Sequence, residues 1–199
     1  METIDGIRGI YLENDQAFME QRAPTFTVPE VLAADLDTTR ILDSLRLSAR
    51  DLFVGQHPIV VNTGNSFMIV PLRSGTVVAQ VEPDLAAIET ISERLGLIGY
   101  YIFSPQVQQA GRDAGARMFA PFYGISEESA TGMAAGPLAC YLYTHLHRKK
   151  SIFRIEQGHL MHPPWPSVLT AQLTLDQETI TSLWVGGRAT VSHTVEIDG

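Results

Sequence analysis

Cysteine, basic residues and long apolar runs are all scarce in this sequence. The 199 residues include one cysteine, Cys140, so no disulfide can form within the chain. A lone thiol is typical of a reducing compartment, and we expect a cytoplasmic protein. No apolar run approaches the ~18 residues of a membrane helix, and the N-terminal METIDGIRG lacks the basic and then apolar pattern of a signal peptide. The sequence therefore predicts no membrane partner.

Positive charge is also in short supply, which argues against a nucleic-acid partner. Fourteen lysine and arginine residues stand against 22 aspartate and glutamate residues, giving a net charge of −8. A surface that binds duplex phosphates needs an excess of cations. The one basic cluster, residues 147–150, lies where a helix is predicted to end, and cations there would complement the helix dipole.

The histidines do not have the spacing of metal ligands. His145 and His147 are two residues apart and would point to different faces of a helix, whereas helical ligand pairs are separated by four. His159 and His162 lie in a proline-rich segment with no acidic or cysteine companion nearby. We therefore predict no metal site.

The chain has enough apolar residues for a globular core and shows an alternation of strand and helix patterns. Hydrophobic residues make up 45% and charged residues 18% of the sequence. The order of elements predicts an α+β fold in which many strands wrap around a central helix. The predicted features are early strands, a short helix capped by Asp37, a hairpin around residues 62–65, a helix from Asp84 to Gly96, a strand at 98–103, an apolar helix at about 133–147, and final strands in which Gly186 and Gly187 turn the last pair.

The segment GISEESATGMAAG, residues 124–136, places two carboxylates directly before an apolar helix. The unpaired N–H groups of a helix N-terminus can hold a carboxylate. Gly132 allows close approach of a ligand to the backbone, and Thr131 can cap the helix or donate its hydroxyl. On the pattern alone, an ordinary capped core helix is the stronger interpretation.

The same segment resembles the phenazine-biosynthesis PhzF-like family of the diaminopimelate epimerase superfamily, whose pattern is roughly G-I-x-E-D-P-x-T-G-S-A. ARMFAP (116–121) is similar to the family's R-x-F-x-P strand. NTGNSFMIVPLRS (62–74) and IEQGHLMHPPWPS (155–167) resemble two further family segments, in the family's order. With these matches, anion binding becomes the stronger interpretation of the helix start.

The resemblance implies a fold of two similar lobes, each with a mixed β-sheet or barrel around a central apolar helix, and an active site in the cleft between them. Family members are longer than this chain. Neither an N-x-S-E-T-like segment, which carries the family's proton-shuttling glutamate, nor a G-H-A motif occurs here. We therefore interpret residues 1–199 as a single C-terminal lobe, which implies a homodimer or a partner chain that supplies the other lobe.

The function implied by the resemblance is an isomerase that moves a proton on a small carboxylate metabolite without a cofactor. Glu128 falls on the family's aspartate and is the candidate catalytic residue. The candidate substrate-binding residues are Glu127, Thr131, Gly132, Met133, Ala134, Gln157 and Gly158. Two alternatives stay open: first-turn acids that complement the helix dipole for Glu127 and Glu128, and a simple turn at the end of a strand for Gln157 and Gly158.

Three departures from the family pattern support a competing hypothesis. Met133 replaces serine and cannot donate a hydrogen bond through its side chain. Ser129 replaces proline, and Pro164-Trp165 replaces a Gly-Arg pair whose guanidinium would be available for carboxylates. Under this hypothesis the chain is a non-catalytic truncated homologue that binds a ligand or another protein. Cys140 is expected to be a small buried hydrophobe in either case.

Overall fold

The computed structural model describes residues 2–3 and 6–189, and its secondary structure alternates strands and short helices. The strands are β1 (Glu2–Thr3), β2 (Gly6–Ile7), β3 (Ile10–Glu13), β4 (Gln16–Arg22), β5 (Thr25–Thr27), β6 (Ile59–Asn62), β7 (Ser66–Pro71), β8 (Gly99–Ser104), β9 (Ala114–Ala120), β10 (Ile125–Glu128), β11 (Ile152–Gln157), β12 (Ser167–Asp176) and β13 (Thr179–Arg188). The helices are α1 (Pro29–Leu32), α2 (Thr38–Asp43), α3 (Gly75–Gln80), α4 (Leu85–Leu95) and α5 (Gly132–Thr144), with 3₁₀ turns at Ala49–Asp51 and Pro121–Tyr123.

One large mixed sheet contains every strand except β1 and β2, which pair with each other. Its order is β3-β4-β13-β12-β11-β9-β8-β7-β6-β5, and β10 pairs with β9 beside this path. The pairs β7–β8 and β9–β11 are parallel and the others are antiparallel. The predicted α+β class is confirmed. The sheet is not closed, so the barrel form of the prediction is not found.

The two ends of the sheet are nevertheless brought together by the chain itself. Strands β4 and β5 lie near opposite ends of the strand order but are separated in sequence by only Ala23 and Pro24. A backbone hydrogen bond of 3.0 Å from Arg22 N to Thr63 O joins the end of β4 to the β6–β7 turn. The sheet must curl to meet this covalent constraint.

The alternation of side chains along the strands divides the core into two clusters, one on each face of the sheet. In β8, Tyr101 and Phe103 belong to the cluster that contains α5, while Tyr100 and Ile102 belong to the cluster that contains α2, α3 and α4. All four of these side chains are fully buried. A strand buried on both faces reads as a continuous apolar run, which explains its clear signal in the sequence.

Helix α5 is buried on every side, as the sequence predicted. Ten consecutive residues, from Ala134 to Tyr143, are buried, and the helix packs against β6, β7, β12 and β13. Gly136 leaves space for the end of the Gln21 side chain on β4, which a Cβ atom at this position would overlap. No helix in the described part of the chain has the length and apolarity to cross a membrane.

Several local predictions are confirmed. The Asp37 side chain accepts a hydrogen bond from Arg40 N and caps α2. Asp84 caps α4 through Ala87 N, and Gly96 ends that helix in the left-handed region at φ 62°. Strands β6 and β7 form the predicted antiparallel hairpin.

The prediction that Gly186 and Gly187 form a turn is wrong. Both glycines lie within β13 and pair with Phe18 and Ala17 of β4, and the turn between β12 and β13 is at Gln177, with φ 55°. A Cβ atom on Gly186 would overlap the carbonyl oxygen of Ala17, so glycine serves close strand approach rather than chain reversal. The final predicted strand lies mostly in residues 190–199, outside the described residues.

The prediction that the basic cluster at residues 147–150 lies at the end of a helix is also wrong. Helix α5 ends at Thr144 with no cation in its last turn. Lys150 instead pairs with Asp113 at 2.5 Å and Lys149 with Glu178 at 3.3 Å. These side chains therefore tie the segment after α5 to the sheet region.

A buried ion pair holds β10, the strand that carries both candidate carboxylates. Arg117 on β9 donates through Nε and Nη2 to the two carboxylate oxygens of Glu127, at 2.7 and 2.9 Å. Its Nη1 donates to the carbonyls of Val78 and Val81 at the end of α3, at 3.1 and 2.9 Å. The Arg117 side chain is 8% exposed, so water has little access to these acceptors. They therefore depend on its guanidinium as their shared donor.

Replacing Arg117 with methionine should therefore destabilise the fold strongly. The Arg117→Met variant leaves a mostly buried carboxylate and the Val81 carbonyl without their charged donor, and loss of one partner of such a pair costs about 3–5 kcal/mol. Urea unfolding followed by circular dichroism measures the loss. The matched control is Arg94→Met, which breaks the exposed pair with Asp35 and should have a much smaller effect. Equal losses in the two variants would contradict this account.

Candidate functional site

The candidate site is built on the short loop between β10 and α5. Strand β10 ends at Glu128 and α5 begins at Gly132, with Thr131 in the N-cap position. Glu127 and Glu128 therefore lie on a strand rather than in the first turn of the helix, which contains no acidic residue. The interpretation of these carboxylates as first-turn partners of the helix dipole is wrong.

Gln157, at the end of β11, joins this loop to the core of the sheet. Its Oε1 accepts hydrogen bonds from Tyr101 Oη at 2.8 Å and from Thr131 N at 3.1 Å. Its Nε2 donates to Glu128 O at 2.7 Å and to Thr131 Oγ1 at 3.0 Å. Gln157 is fully buried and all its amide hydrogen-bonding groups are satisfied. The geometry thus places Gln157 beneath the loop, as a support for its backbone.

Thr131 turns its hydroxyl towards Glu128 instead of capping the helix. The Oγ1 atom donates to Glu128 Oε2 at 2.8 Å, and no side-chain cap bond is present at α5. The second carboxylate oxygen of Glu128 has no hydrogen-bond partner among the described residues, and the side chain is half-buried. Burial raises the pKa of Tyr101 well above its ordinary value, and the nearby Glu128 carboxylate adds to this shift.

Two backbone N–H groups at the start of α5 have no acceptor among the described residues. These are the N–H groups of Gly132 and Met133. Thr131 N is taken by Gln157, and Ala134 N donates to Thr131 O at 3.2 Å. Ala134 is also fully buried. Of the predicted backbone contacts, Gly132 and Met133 are therefore the available donors.

Gly158 and Ser167 shape the wall next to this loop. Gly158 has φ 78°, and a Cβ atom there would overlap the Trp165 carbonyl and crowd the Ser129 carbonyl. Ser167 Oγ donates to Ser129 O at 2.5 Å, and Trp165 N donates to Gly158 O at 2.9 Å. A glycine is therefore required at position 158 both for its conformation and for the space it leaves.

The structure brings together Glu128, Thr131, Gln157 and Gly158, with the N–H groups of Gly132 and Met133 next to them, and directs the side chains of Glu127 and Met133 elsewhere. Glu127 is committed to Arg117, on the side of the loop that faces α3. Met133 is 39% exposed, and its sulfur lies 3.4 Å from the Asn65 amide nitrogen in the β6–β7 turn.

Sequence reasoning missed two groups that hold the site. Tyr101 lies in an apolar strand and gave no signal of its hydrogen bond to Gln157. Gln21 is 7% exposed, accepts from Thr63 Oγ1 at 2.7 Å and donates to Gly132 O at 3.1 Å. A polar residue at a core-facing position of a strand is the signal that would have marked Gln21.

In the part of the chain that the structure describes, there is neither a set of metal ligands nor an accessible thiol. Within those residues, no group of three or more His, Cys, Asp or Glu side chains is placed to hold a metal ion. Cys140 is fully buried, and burial raises the pKa of its thiol. The thiol is therefore the unreactive small hydrophobe that the sequence predicted.

Comparison with known proteins identifies relatives over most of the chain. A family model described as phenazine biosynthesis-like protein, PhzC-PhzF, matches residues 2–194. The "Uncharacterized isomerase YddE" of Escherichia coli strain K12 is 32% identical over 146 residues, covering 71% of this chain and 46% of that protein. The trans-2,3-dihydro-3-hydroxyanthranilate isomerase of Pseudomonas chlororaphis is 29% identical over 150 residues, covering 69% of this chain and 51% of that protein. The chain thus spans about half the length of these curated relatives.

A solved structure with a similar fold belongs to the same family. The phenazine biosynthesis protein of the PhzF family from Bacillus anthracis superposes with a TM-score of 0.77 at 21% identity, covering 93% of this chain and 63% of that one. This likeness concerns the fold, and the match of the family model over nearly the whole chain carries the assignment. The chain belongs to the PhzC-PhzF family of phenazine biosynthesis-like proteins.

Proposed function

We propose that this chain is the C-terminal lobe of a cofactor-independent isomerase that moves a proton on a small carboxylate metabolite. The support is membership of the family and the isomerase names of relatives from E. coli and Pseudomonas. In this proposal the mixed sheet curls around α5 as one diaminopimelate epimerase-like lobe. The packing of α5 against β6, β7, β12 and β13 supports that arrangement.

The observation that carries the proposal is the pair of unpartnered N–H groups at Gly132 and Met133. They lie at the positive end of the α5 dipole, directly after the half-buried Glu128. A substrate carboxylate that accepts from both would satisfy two orphan donors and the dipole together. Such binding would hold the carbon next to the carboxylate near Glu128.

Glu128 is the proposed catalytic residue of this lobe. One of its oxygens accepts from Thr131 Oγ1, and the other has no partner among the described residues and is available to the substrate. In the proposed reaction a base on another lobe removes a proton from carbon, and the proton is returned at a second carbon of the same molecule. Glu128 hydrogen-bonds the reacting molecule and exchanges a proton with it during this step.

Gln157 and Gly158 act in this proposal as positioning residues. The amide of Gln157 fixes both the carbonyl of Glu128 and the N–H of Thr131, so it holds the backbone on either side of the Ser129–Ala130 segment. Gly158 lets the Trp165 segment pass close to Ser129. Glu127 acts indirectly: its ion pair with Arg117 holds β10 in place.

If an anion binds at the helix start, removal of the Met133 N–H group should weaken its binding. Proline is tolerated in the first turn of a helix but lacks the N–H group, so Met133→Pro removes one proposed donor with little effect on the helix. We expect affinity for anthranilate, measured by titration of the ¹⁵N-labelled protein, to fall about ten-fold, because a hydrogen bond to a charged group contributes about 1.5–3 kcal/mol.

The matched control is Met133→Leu, which keeps the N–H group and a side chain of similar size. It should bind anthranilate like the parent protein, with shifts at the Gly132 and Met133 amides. Anthranilamide, which carries no negative charge, should cause much smaller shifts. If the two variants bind equally well, the anion does not lie on these N–H groups.

The proposed role of Glu128 predicts a large loss of turnover in Glu128→Gln. The amide keeps the shape of the side chain but cannot exchange a proton, and positioned acid–base groups contribute typically ~10²–10⁴-fold in rate. The measurement is deuterium uptake from D₂O into trans-2,3-dihydro-3-hydroxyanthranilate, with the protein isolated together with any partner chain. Glu89→Gln, an exposed change on α4, is the control and should be silent. Unchanged turnover in Glu128→Gln would remove it from the mechanism.

The proposal also requires a second lobe, and exposed apolar side chains support this requirement. Ile10 and Leu12 on the edge strand β3 are 52% and 80% exposed, and Met133 beside the site is 39% exposed. We expect native mass spectrometry of the protein from its own cells to show a second, different chain at one-to-one that carries the missing base. A homodimer or a bare monomer would instead favour the competing function, a ligand-binding or protein-interaction module without catalysis.

One observation favours that second function. The side chain at position 133 is a methionine that contacts Asn65 and offers a substrate no hydrogen-bond donor. Anthranilate binding without deuterium uptake, in the protein isolated with all its partners, would identify the chain as a binding module.

A further inference from the structure

A cavity of about 770 Å³ has the Ser129–Ala130 segment in its wall. This volume is within the ~300–1,000 Å³ that small-molecule sites usually have. Among the residues that the structure describes, its charged lining consists of three arginines, Arg112, Arg154 and Arg188, with no aspartate or glutamate. Acidic residues outnumber basic ones by 22 to 14 in the whole chain, so this local composition is the reverse of the general one.

The fold itself brings these three arginines together. Arg154 on β11 pairs with Thr170 on β12, and Thr170 pairs with Gly186 on β13. Arg188 lies two residues beyond Gly186 and therefore on the same face of the sheet. A backbone hydrogen bond of 2.7 Å from Asp113 N to Arg154 O places Arg112 directly beside this row.

Their guanidinium groups are not neutralised by the part of the chain that the structure describes. Within it, no side-chain hydrogen bond or ion pair engages Arg112, Arg154 or Arg188, and the Nε atom of Arg112 is buried without any partner. A buried donor without an acceptor is rare in proteins and needs an explanation. A bound anion would supply that acceptor.

The carboxylates of Asp113 and Glu156, which lie next to Arg112 and near Arg154 in the sequence, are already engaged elsewhere. Asp113 accepts from Arg154 N at 2.7 Å and pairs with Lys150 at 2.5 Å. Glu156 accepts from the backbone N–H groups of Gln108 and Gln109. Neither carboxylate lines the cavity, so the positive potential of the three arginines is directed to whatever enters it.

We propose that the cavity lined by Arg112, Arg154 and Arg188 is a binding site for a small, multiply charged anion, a phosphate ester or a polycarboxylate. Guanidinium groups bind such anions through paired, parallel hydrogen bonds, and three of them match at least three negative oxygens. The site goes beyond the proposed isomerase function and does not rest on it. It shares the Ser129–Ala130 segment with the helix start but uses different donors.

The test uses two probes, inorganic pyrophosphate and citrate, by isothermal titration calorimetry at 100 mM NaCl. The parent protein should bind at least one of them at sub-millimolar concentration, and the tighter probe identifies phosphate or polycarboxylate chemistry. Binding should weaken as salt rises, because the contacts are ionic. Acetate, which carries a single charge, should bind at least ten-fold more weakly than the better probe. No binding of either probe at 5 mM would overturn the proposal.

The variant for the test is the double change Arg154→Gln and Arg188→Gln. Both residues are exposed, so the fold should persist, and the affinity should fall at least ten-fold. The matched control is the double change Arg46→Gln and Arg94→Gln, which removes the same amount of charge from exposed pairs elsewhere. Equal losses in the two double variants would mean that net charge alone is responsible.

Two further readouts separate this site from the helix start. The ¹⁵N signal of Arg112 Nε should shift on addition of the bound probe in the parent protein, and its constancy would contradict the assignment. Met133→Pro should bind the probe like the parent protein, because its lost N–H group belongs to the isomerase site. Failure of the arginine site and failure of the proposed isomerase function are therefore distinguishable.

Discussion

The candidate site depends on one buried amide, the side chain of Gln157. A primary amide offers two donors and two acceptor lone pairs in fixed directions, and here each is used. The partners come from β8, from the end of β10 and from the start of α5, so the short loop between β10 and α5 is fixed against two strands distant from it in sequence, β8 and β11. In an interior of low dielectric, a buried donor or acceptor without a hydrogen bond costs about 1–3 kcal/mol. Arrangements of these elements that leave the amide unsatisfied are therefore disfavoured.

Most of the buried and half-buried carboxylates near the site have a hydrogen-bond or ion-pair partner on each oxygen. Glu127 is satisfied by Arg117, Glu156 by two backbone N–H groups, and Asp113 by Lys150 and a backbone N–H. Each of these carboxylates contributes to the fold because all its strong acceptors are occupied. Glu128 differs, since Thr131 occupies one oxygen and the other has no partner among the described residues.

The backbone contributes as much to the proposed chemistry as the side chains do. Thr131 gives its hydroxyl to Glu128 and so leaves the helix start without a side-chain cap. In the proposed function, the uncapped N–H groups of Gly132 and Met133 are the donors for a substrate carboxylate. The direction of the Thr131 hydroxyl therefore has two effects. It orients the Glu128 carboxylate, and it leaves the helix N–H groups free of a side-chain cap.

The sequence alone determined the features that depend on neighbouring residues. The caps of α2 and α4, the β6–β7 hairpin and the all-round burial of α5 follow from local patterns, and the T-G segment marked the site because its residues are contiguous. The tertiary structure decided what depends on residues far apart. It placed Gly186 against Ala17 in a sheet rather than in a turn, and it gave Glu127 to Arg117 and Gln157 to Tyr101. Hydrogen-bond partners across a curled sheet are fixed by strand order and register, and neither is encoded in any short stretch of sequence.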